Sequence, residues 1–282
     1  MRFTKMQGCG NDYIYVNAME ERVESPVRLA KQLSDRHFGI GADGLILIGA
    51  SKTADFSMEM YNADGSKGAM CGNGIRCVGK YVYERGLTRK TTLTIETGSG
   101  NRVIHLQTEG KPGEVTRVTV EMGTPEFRAA QIPVLSLGEY VLEQKITVGG
   151  KPYTMTCLSM GNPHAVVWTE NVDNLPISEI GSAFEHLSCF PDRINTEFIQ
   201  NVNQHTIKMR VWERGSGETL SCGTGACAAA VAAMLSGYVC EGETAVELRG
   251  GTLFVTWDRT KNKVFLTGPA ETVFEGTLAE RK

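Results

Sequence analysis

Two short motifs recur in this sequence at a single offset of 151 residues and in the same order. The recurring pairs are Gly10-Asn11 with Gly161-Asn162, and Cys71-Gly72-Asn73-Gly74 with Cys222-Gly223-Thr224-Gly225. The same offset pairs Asn62 with Glu213, and each lies near the end of an apolar run. Because separate matches share one spacing and one order, we interpret the chain as two homologous halves, each with one Cys-Gly-x-Gly element.

The apolar pattern predicts a similar series of elements in both halves. In the first half it predicts strands at residues 2–6, 13–17, 45–48, 56–61, 93–96, 103–107 and 115–121, with helices at 27–33 and 73–84. In the second half it predicts strands at residues 153–159, 165–168, 196–200, 207–211, 245–248, 253–257 and 264–267, with a helix at 224–235. Ser25-Pro26 precedes the first helix as an N-cap and first-turn proline. The predicted fold class is α/β (α+β), with two pseudo-symmetric domains.

The domain boundary is expected near Gly123-Thr124-Pro125. The chain has 282 residues, enough for two domains of ordinary size. We expect an N-terminal domain of residues 1–123 and a C-terminal domain of residues 124–269. The strand-like run 272–276 is expected to cross back, so that residues 270–282 join the first domain.

The charge balance argues against a nucleic-acid partner. The chain has 29 basic and 32 acidic residues and a net charge of −3, so it has no broad basic field. No run reaches the roughly 18 apolar residues of a membrane span, and the N-terminus has no signal-peptide core. We therefore expect a cytoplasmic protein with eight cysteines in a reducing environment and a small-molecule substrate.

Each Cys-Gly-x-Gly element is predicted where a loop gives way to a helix. Glycines there leave the backbone N–H groups bare, and a helix N-terminus carries a partial positive charge. Such a site can hold a carboxylate. It is also expected to stabilise a thiolate and to lower the pKa of a cysteine from its usual value of about 8.5.

Two such elements related by duplication predict chemistry at one α-carbon. Pseudo-twofold packing would bring Cys71 and Cys222 to one cleft between the domains, facing each other. A thiolate on one side would remove the α-proton while a thiol on the other side returns one. The thiols should titrate as a coupled pair, and backbone donors should stabilise the carbanion. His164, two residues after Asn162, and Glu213, at the place of Asn62, are candidates for tuning the thiols.

Other functions fit the sequence less well. Cys71 and Cys77 are six residues apart and Cys222 and Cys227 five, whereas zinc ligands typically have a two-residue gap. The glycine-rich segment 39–44 fits the dinucleotide-binding pattern but leads into a strand-like run instead of a helix. We therefore expect no metal and no cofactor. The segment 62–65 could be no more than a turn, because Asn, Asp and Gly favour turns.

At this point the motifs resemble those of the diaminopimelate epimerase family. The matching segments follow one another from residue 6 to about residue 235: Met6-Gln7-Gly8-Cys9-Gly10-Asn11-Asp12, Asn62-Ala63-Asp64-Gly65-Ser66, Cys71-Gly72-Asn73-Gly74-Ile75-Arg76-Cys77, Gly161-Asn162-Pro163-His164, Glu213-Arg214-Gly215 and Cys222-Gly223-Thr224-Gly225-Ala226-Cys227. The resemblance implies two similar α/β domains, each a β-barrel-like sheet around a central helix, in a homodimer. It implies interconversion of LL- and meso-diaminopimelate without pyridoxal phosphate or metal, in lysine and cell-wall synthesis.

The resemblance also implies roles for individual residues. Cys222 is similar to the base for the LL substrate and Cys71 to the acid, with His164 and Glu213 at positions that tune the thiols. The implied substrate-binding residues are Asn11, Asn62, Gly72, Asn73, Asn162, Asn195, Glu213, Arg214, Gly223 and Thr224. Arg214 would bind the distal carboxylate. Gly44 is a departure, because some family members have a glutamine contact at that position.

Three alternatives stay open from the sequence. A racemase of another amino acid, such as histidine or proline, would keep the mechanism and change the distal pocket. A phenazine-type isomerase of this fold fits less well, because that branch lacks the cysteine pair. A thiol redox protein could instead form a reversible disulfide between Cys71 and Cys222, but this function would not require the asparagines or Arg214.

Overall fold

The computed structural model describes residues 1–110, 113–136 and 138–279. These residues divide into two compact units: unit 1 contains Met1–Glu121 and Thr267–Lys282, and unit 2 contains Met122–Leu266. The helices of the described residues are all too short or too polar to cross a membrane.

Unit 1 is built on a mixed sheet with two helices. Its strands are β1 (Arg2–Gly8), β2 (Asn11–Asn17), β3 (Gly44–Gly49), β4 (Phe56–Asn62), β5 (Lys67–Gly68), β6 (Thr92–Thr97), β7 (Gly100–Gln107) and β8 (Arg117–Gly123), which runs across the unit border. Its helices are α1 (Pro26–Ser34) and α2 (Gly72–Glu84). Strand β2 runs parallel to β3, and β4 parallel to β6, while β1–β2, β3–β4 and β6–β7 are antiparallel.

Unit 2 follows the same plan. Its strands are β9 (Gln144–Val148), β10 (Lys151–Ser159), β11 (Pro163–Trp168), β12 (Asn195–Asn203), β13 (Thr206–Glu213), β14 (Gly217–Thr219), β15 (Glu243–Leu248), β16 (Gly251–Asp258) and β17 (Lys263–Gly268), which also runs across the unit border. Its helices are α3 (Ile177–Glu185) and α4 (Gly223–Leu235). Strand β11 is parallel to β12 and β13 to β15, with antiparallel pairs β10–β11, β12–β13 and β15–β16.

The repeat found in the sequence is present in the structure to the residue. At an offset of 151, both ends of α1 match α3, and both ends of α2 match α4. The strand register repeats as well, because Tyr13 pairs with Gly44 as His164 pairs with Asn195. The predicted α/β class with two homologous halves is confirmed.

Each unit has one helix enclosed by its sheet. Helix α2 packs against β1, β2 and β7, and helix α4 packs against β10–β13, β15 and β16. Helix α4 is buried on nearly all sides, and its run of alanines allows that close approach, since small side chains let strands come near the helix axis. Both helices therefore hold their N-termini at a fixed place in the sheet.

Strand β18 (Glu271–Thr277) returns to unit 1, where it pairs antiparallel with β1. Helix α3 is absent from the elements predicted from the sequence, although the offset from α1 points to it. The short strands β5, β9 and β14 were not predicted either. Ser25 does occupy the N-cap of α1 before Pro26, but its side chain makes no capping hydrogen bond.

Candidate active site

Cys71 is the N-cap residue of α2. Its extended backbone (φ −134°, ψ 119°) turns the side chain towards the first helical turn, where Sγ accepts the N–H of Gly74 at 3.3 Å. The same sulfur donates to Asn11 Oδ1 at 3.2 Å. Asn73 Nδ2 lies 3.4 Å from that oxygen, so the structure brings together three of the predicted site residues, Asn11, Cys71 and Asn73.

A network of charged side chains fixes the amide of Asn11. Asp43 Oδ2 accepts Asn11 Nδ2 at 2.7 Å and the N–H of Asp12 at 3.1 Å. Arg36 bridges Asp12 and Asp43, and the buried Lys5 Nζ lies 2.6 Å from Asp12. Because Asp43 takes the amide nitrogen of Asn11, the amide oxygen faces the sulfur of Cys71.

Asn62 lies at the end of β4 and bonds locally, with Nδ2 donating to Ser66 Oγ at 2.9 Å. Residues 62–66 form a turn, as Gly65 N–H donates to Asn62 O and Ser66 N–H to Asp64 Oδ1. Gly44 lies opposite Asn62 in β3. A Cβ at residue 44 would collide with the carbonyl of Tyr61 and lie 2.8 Å from the Tyr13 ring, so this backbone accepts only glycine there.

Cys222 is the N-cap residue of α4, with a backbone conformation close to that of Cys71 (φ −125°, ψ 114°). Its side chain is buried, and Sγ lies 3.5 Å from Thr224 Oγ1. Burial raises the pKa of the Cys222 thiol well above its ordinary value, and the charges of Glu213 and Glu197 raise it further. The Thr224 hydroxyl and the Gly225 N–H act in the opposite direction but do not outweigh them. The expectation that the helix N-terminus lowers this pKa is wrong for Cys222.

Glu213, at the end of β13, is bonded to Thr219, whose hydroxyl donates to Oε1 at 2.5 Å. Burial raises the pKa of Glu213, and the charge of Glu197 adds to this, although Thr219, Cys222 and His164 favour the carboxylate. Glu213 and Cys222 thus interact directly.

His164 is fully buried between two oxygen atoms. Its Nε2 lies 2.9 Å from Asn162 Oδ1, and its Nδ1 lies 2.8 Å from Glu197 Oε1. The predicted residues His164 and Asn162 are therefore in contact, and the third member, Glu197, was not singled out from the sequence. A glutamate in the middle of the buried stretch of β12 was the available signal, because a buried carboxylate needs a partner.

Asn195 connects the start of β12 to the loop that carries Arg214. Its Nδ2 donates to Pro163 O at 2.9 Å, and its Oδ1 accepts the N–H of Arg214 at 2.9 Å. The guanidinium of Arg214 is exposed, and within the described residues it makes one hydrogen bond, to Asp192 O. Glu185 of α3 supports the same loop by accepting the N–H of Gly215 and the indole N–H of Trp212.

The two helix N-termini differ in the charges beneath them. In unit 1 the fully buried Arg76 bonds to Gly72 O, Asn73 Oδ1 and Pro269 O, and Cys227 takes its place at the 151 offset. In unit 2 the buried Glu197 takes the place of Ile46. One frame therefore holds a buried cation and the other a buried carboxylate. In the described part of the chain, no group of three or more His, Cys, Asp or Glu side chains could hold a metal ion.

Solved structures share this architecture at low sequence identity. A phenazine biosynthesis protein of the PhzF family from Bacillus anthracis has a TM-score of 0.71 and 20% identity, and the match covers 99% of each chain. A hydroxyproline epimerase from Agrobacterium vitis has a TM-score of 0.68 and 15% identity, covering 98% of this chain and 90% of that one. The chain thus has the two-unit α/β fold of these proteins.

The family follows from the sequence comparisons. The profile of the diaminopimelate epimerase family matches residues 3–128 and 156–273. A diaminopimelate epimerase of Acetivibrio thermocellus is 53% identical over 278 residues, which cover 99% of this chain and 98% of the relative. One from Methanococcus maripaludis is 51% identical over 278 residues, covering 99% of each. The chain belongs to the diaminopimelate epimerase family, a family of isomerases.

Proposed function

We propose that this protein interconverts LL- and meso-diaminopimelate by proton transfer between two cysteines and the α-carbon. The observation that carries the proposal is the pair of N-cap cysteines, Cys71 and Cys222, each at the start of a helix of 13 residues in the same structural frame. Relatives about half identical over nearly the full chain carry the name of this activity, which supports the choice of substrate.

In the proposed reaction a thiolate takes the α-proton and its electron pair stays on the substrate as a carbanion. The opposite thiol then gives its proton to the other face of that carbon, so the configuration inverts and the thiolate has moved to the second cysteine. Backbone N–H groups of Gly72 and Asn73, or of Gly223 and Thr224, would hold the carboxylate that shares the negative charge. No external oxidant or proton source is needed.

The burial of Cys222, together with the charges of Glu213 and Glu197, supports a resting form with the proton on that sulfur. Its high pKa keeps the thiol protonated at neutral pH, so it is an acid rather than a base in this form. By the family resemblance Cys222 is the base for the LL substrate. We therefore infer that Cys222 acts as the acid in this form, and that the meso substrate reacts once Cys71 has lost the proton that it donates to Asn11.

The remaining predicted residues are proposed to orient the substrate. Asn11, Asn62, Asn162 and Asn195 offer amide groups, and Glu213 and Arg214 form the pair expected to contact the substrate, with Arg214 binding the distal carboxylate. Support comes from how firmly several are held: Asn11 by Asp43, Asn162 by His164, and Asn195 by Pro163 and Arg214.

Exchange of the α-proton with solvent tests the proposal. Reduced enzyme with LL-diaminopimelate in D₂O should incorporate deuterium at an α-carbon while the meso isomer appears, as followed by NMR. Cys71→Ser and Cys222→Ser should each lower the rate of inversion by about 10²–10⁴-fold, because serine is a far weaker acid. Cys240→Ser, at an exposed cysteine outside the site, is the matched control and should behave as wild type.

Full inversion by Cys71→Ser would contradict the two-thiol mechanism. Inversion of histidine or proline without any reaction of diaminopimelate would keep the mechanism and reject the substrate. We also propose that no pyridoxal phosphate takes part, so treatment with hydroxylamine followed by dialysis should leave the activity unchanged.

Cytoplasmic location and a homodimeric state are proposed on the family resemblance alone. Sedimentation equilibrium of the purified protein tests the second of these, with a mass of about twice 30.7 kDa expected. A monomer at all concentrations would reject it.

A further inference from the structure

Glu197 is a buried carboxylate that the fold itself does not require. It lies fully buried in β12, and the equivalent residue of unit 1 at the 151 offset is Ile46, fully buried in β3. The same frame thus accepts an apolar side chain at this position. Burying a carboxyl group costs free energy unless it is hydrogen-bonded, so a glutamate kept here calls for a reason beyond packing.

Four titratable groups on other elements lie around Glu197. These groups are Cys157 of β10, His164 of β11, Glu213 of β13 and Cys222 at the start of α4. The start of α4 lies directly against the carboxylate, because a Cβ at Gly225 would be 2.6 Å from Glu197 Oε1 and 3.3 Å from Cys222 Cβ. Glu197 Oε2 is buried without a hydrogen-bond partner among the described residues.

The hydrogen-bond partners of His164 restrict where its protons can lie. Asn162 Oδ1 can only accept, so the 2.9 Å contact requires a proton on His164 Nε2. The 2.8 Å contact between His164 Nδ1 and Glu197 Oε1 holds a second proton, whichever of these two atoms carries it. With the amide oxygen of Asn162 engaged by His164, its amide nitrogen remains as the donor for another group.

We propose that Glu197 is a positioning residue: it holds the proton arrangement of His164, which in turn fixes the side-chain amide of Asn162 with its nitrogen directed to the substrate. Glu197 itself touches no reacting atom. The role deepens the proposed function, on which its kinetic part rests, and it assigns a purpose to the buried glutamate that replaces the isoleucine of the other unit.

Two variants of Glu197 separate its charge from its hydrogen bond. In Glu197→Gln the new amide can donate to His164 Nδ1, so the proton stays on Nε2 and Asn162 keeps its orientation. In Glu197→Ile, which copies unit 1, the ring loses this partner and the imidazole can move its proton to Nδ1. The KM for diaminopimelate should stay within about threefold in Glu197→Gln and rise at least about tenfold in Glu197→Ile.

Nitrogen-15 NMR of the histidines provides a readout that needs no substrate. The chain has five histidines, and His164→Gln assigns the signals of His164. In the wild type and in Glu197→Gln, Nε2 should be protonated at neutral pH. The downfield proton shared by Nδ1 and Oε1 should be present only in the wild type. In Glu197→Ile, both the shared proton and the preference for Nε2 should be lost.

A purely structural role would lower stability in both variants without changing the tautomer or separating their KM values. Glu59→Gln, at an exposed ion pair with Lys67, is the control for a charge change elsewhere and should leave both readouts unchanged. The proposal is overturned if wild-type His164 lacks a proton on Nε2, or if Glu197→Ile keeps the wild-type tautomer and KM. If the protein does not epimerise diaminopimelate but its His164 spectra change as described, the proposed function fails and the link from Glu197 to His164 stands.

Discussion

Arg214 has an exposed guanidinium that makes one hydrogen bond among the residues that the structure describes. Its backbone N–H donates to Asn195 Oδ1, and its exposed guanidinium donates through Nη1 to Asp192 O. If it binds the distal carboxylate of the substrate, Arg214→Ala should raise the KM for diaminopimelate by about 10- to 100-fold, since a hydrogen bond to a charged group contributes about 1.5–3 kcal/mol. Steady-state kinetics would show it.

Arg214→Lys should recover part of that loss, because lysine keeps the charge and lacks the planar pair of donors. An unchanged KM in Arg214→Ala would mean that the distal end is recognised elsewhere, and it would favour a substrate with one carboxylate.

The residues missed from the sequence are those whose importance depends on a partner far along the chain. Cys71 and Cys222 could be found because their glycine neighbours repeat. Glu197 has no repeat, since its counterpart is Ile46, and its contact with His164 spans 33 residues. The pKa of Cys222 was expected in the wrong direction for the same reason: the helix N-terminus is visible in the sequence, whereas the burial of the thiol and the carboxylates of Glu213 and Glu197 beside it are not.

The N-termini of α2 and α4 share a frame but differ in how tightly they are packed. A Cβ at Gly74 would meet the end of the Ile46 side chain, which can rotate away, whereas a Cβ at Gly225 would meet the Glu197 carboxylate, which His164 holds. Gly225→Ala should therefore lower the free energy of unfolding by about 1–3 kcal/mol. Gly74→Ala should be nearly neutral, because alanine gains about 1 kcal/mol over glycine in a helix.

Urea unfolding of the two alanine variants side by side measures this difference. Equal losses of stability at residues 74 and 225 would show that the Glu197–His164 contact does not restrain the carboxylate.

Helix α3 shows how a missed element can still support the site. The apolar residues Ile177, Ile180 and Phe184 follow a helical spacing. Gly181 lies within this run, and a glycine in the interior makes a sequence less typical of a helix. The structure gives the reason for that glycine: a Cβ there would lie 2.6 Å from the Trp212 ring. Close contact with β13 thus decides the residue at this position, and sequence propensity alone cannot reveal it.

Glu185, the last residue of α3, ties this helix to the loop of Arg214. Burial alone would raise the pKa of Glu185, but the donors Trp212 and Gly215 outweigh it, so the pKa is lowered. Glu185→Ala leaves these partly buried hydrogen bonds without their acceptor and should lower the free energy of unfolding by about 1–3 kcal/mol. It should also raise the KM by loosening the loop.

The control for this prediction is Glu179→Gln at the exposed face of α3, expected within about 0.5 kcal/mol of wild type. Because the pKa of Glu185 is lowered on folding, its contribution is present above the unfolded pKa of about 4.3 and is lost as the pH falls through the folded value. The stability difference between wild type and Glu185→Ala should therefore shrink in acid.

At the scale of the whole molecule, the duplication explains why the fold was predictable. Each copy of the repeated pattern supports the interpretation of the other, and the strands and helices that were predicted lie within a few residues of their observed ends. The predicted domains are residues 1–123 and 124–269, and the two compact units of the structure divide after Glu121 and after Leu266. The functional differences between the two halves could not be predicted from the repeat. They lie at positions where the two copies differ, such as Arg76 against Cys227 and Glu197 against Ile46.

Buried thiols make the stability of the whole chain sensitive to alkaline pH. Burial raises the pKa of Cys77 to about 11 and also raises the pKa of Cys157 and Cys222. The folded state then holds these protons more tightly than the unfolded state, whose thiols titrate near about 8.5. Their contribution is complete below that pH and is lost as the pH rises towards the folded values, at up to about 1.4 kcal/mol per pH unit for each thiol.

Urea unfolding at about pH 7.5 and about pH 9.5 should therefore show a loss of stability in the wild type, and a smaller loss in Cys77→Ala by about 1 kcal/mol, because that variant has one buried thiol fewer to ionise on unfolding. Cys240→Ala, which removes an exposed thiol, should lose as much as the wild type. If Cys77→Ala loses as much stability as the wild type between these two pH values, the Cys77 thiol does not retain its proton in the folded chain, and burial within α2 does not control its ionisation.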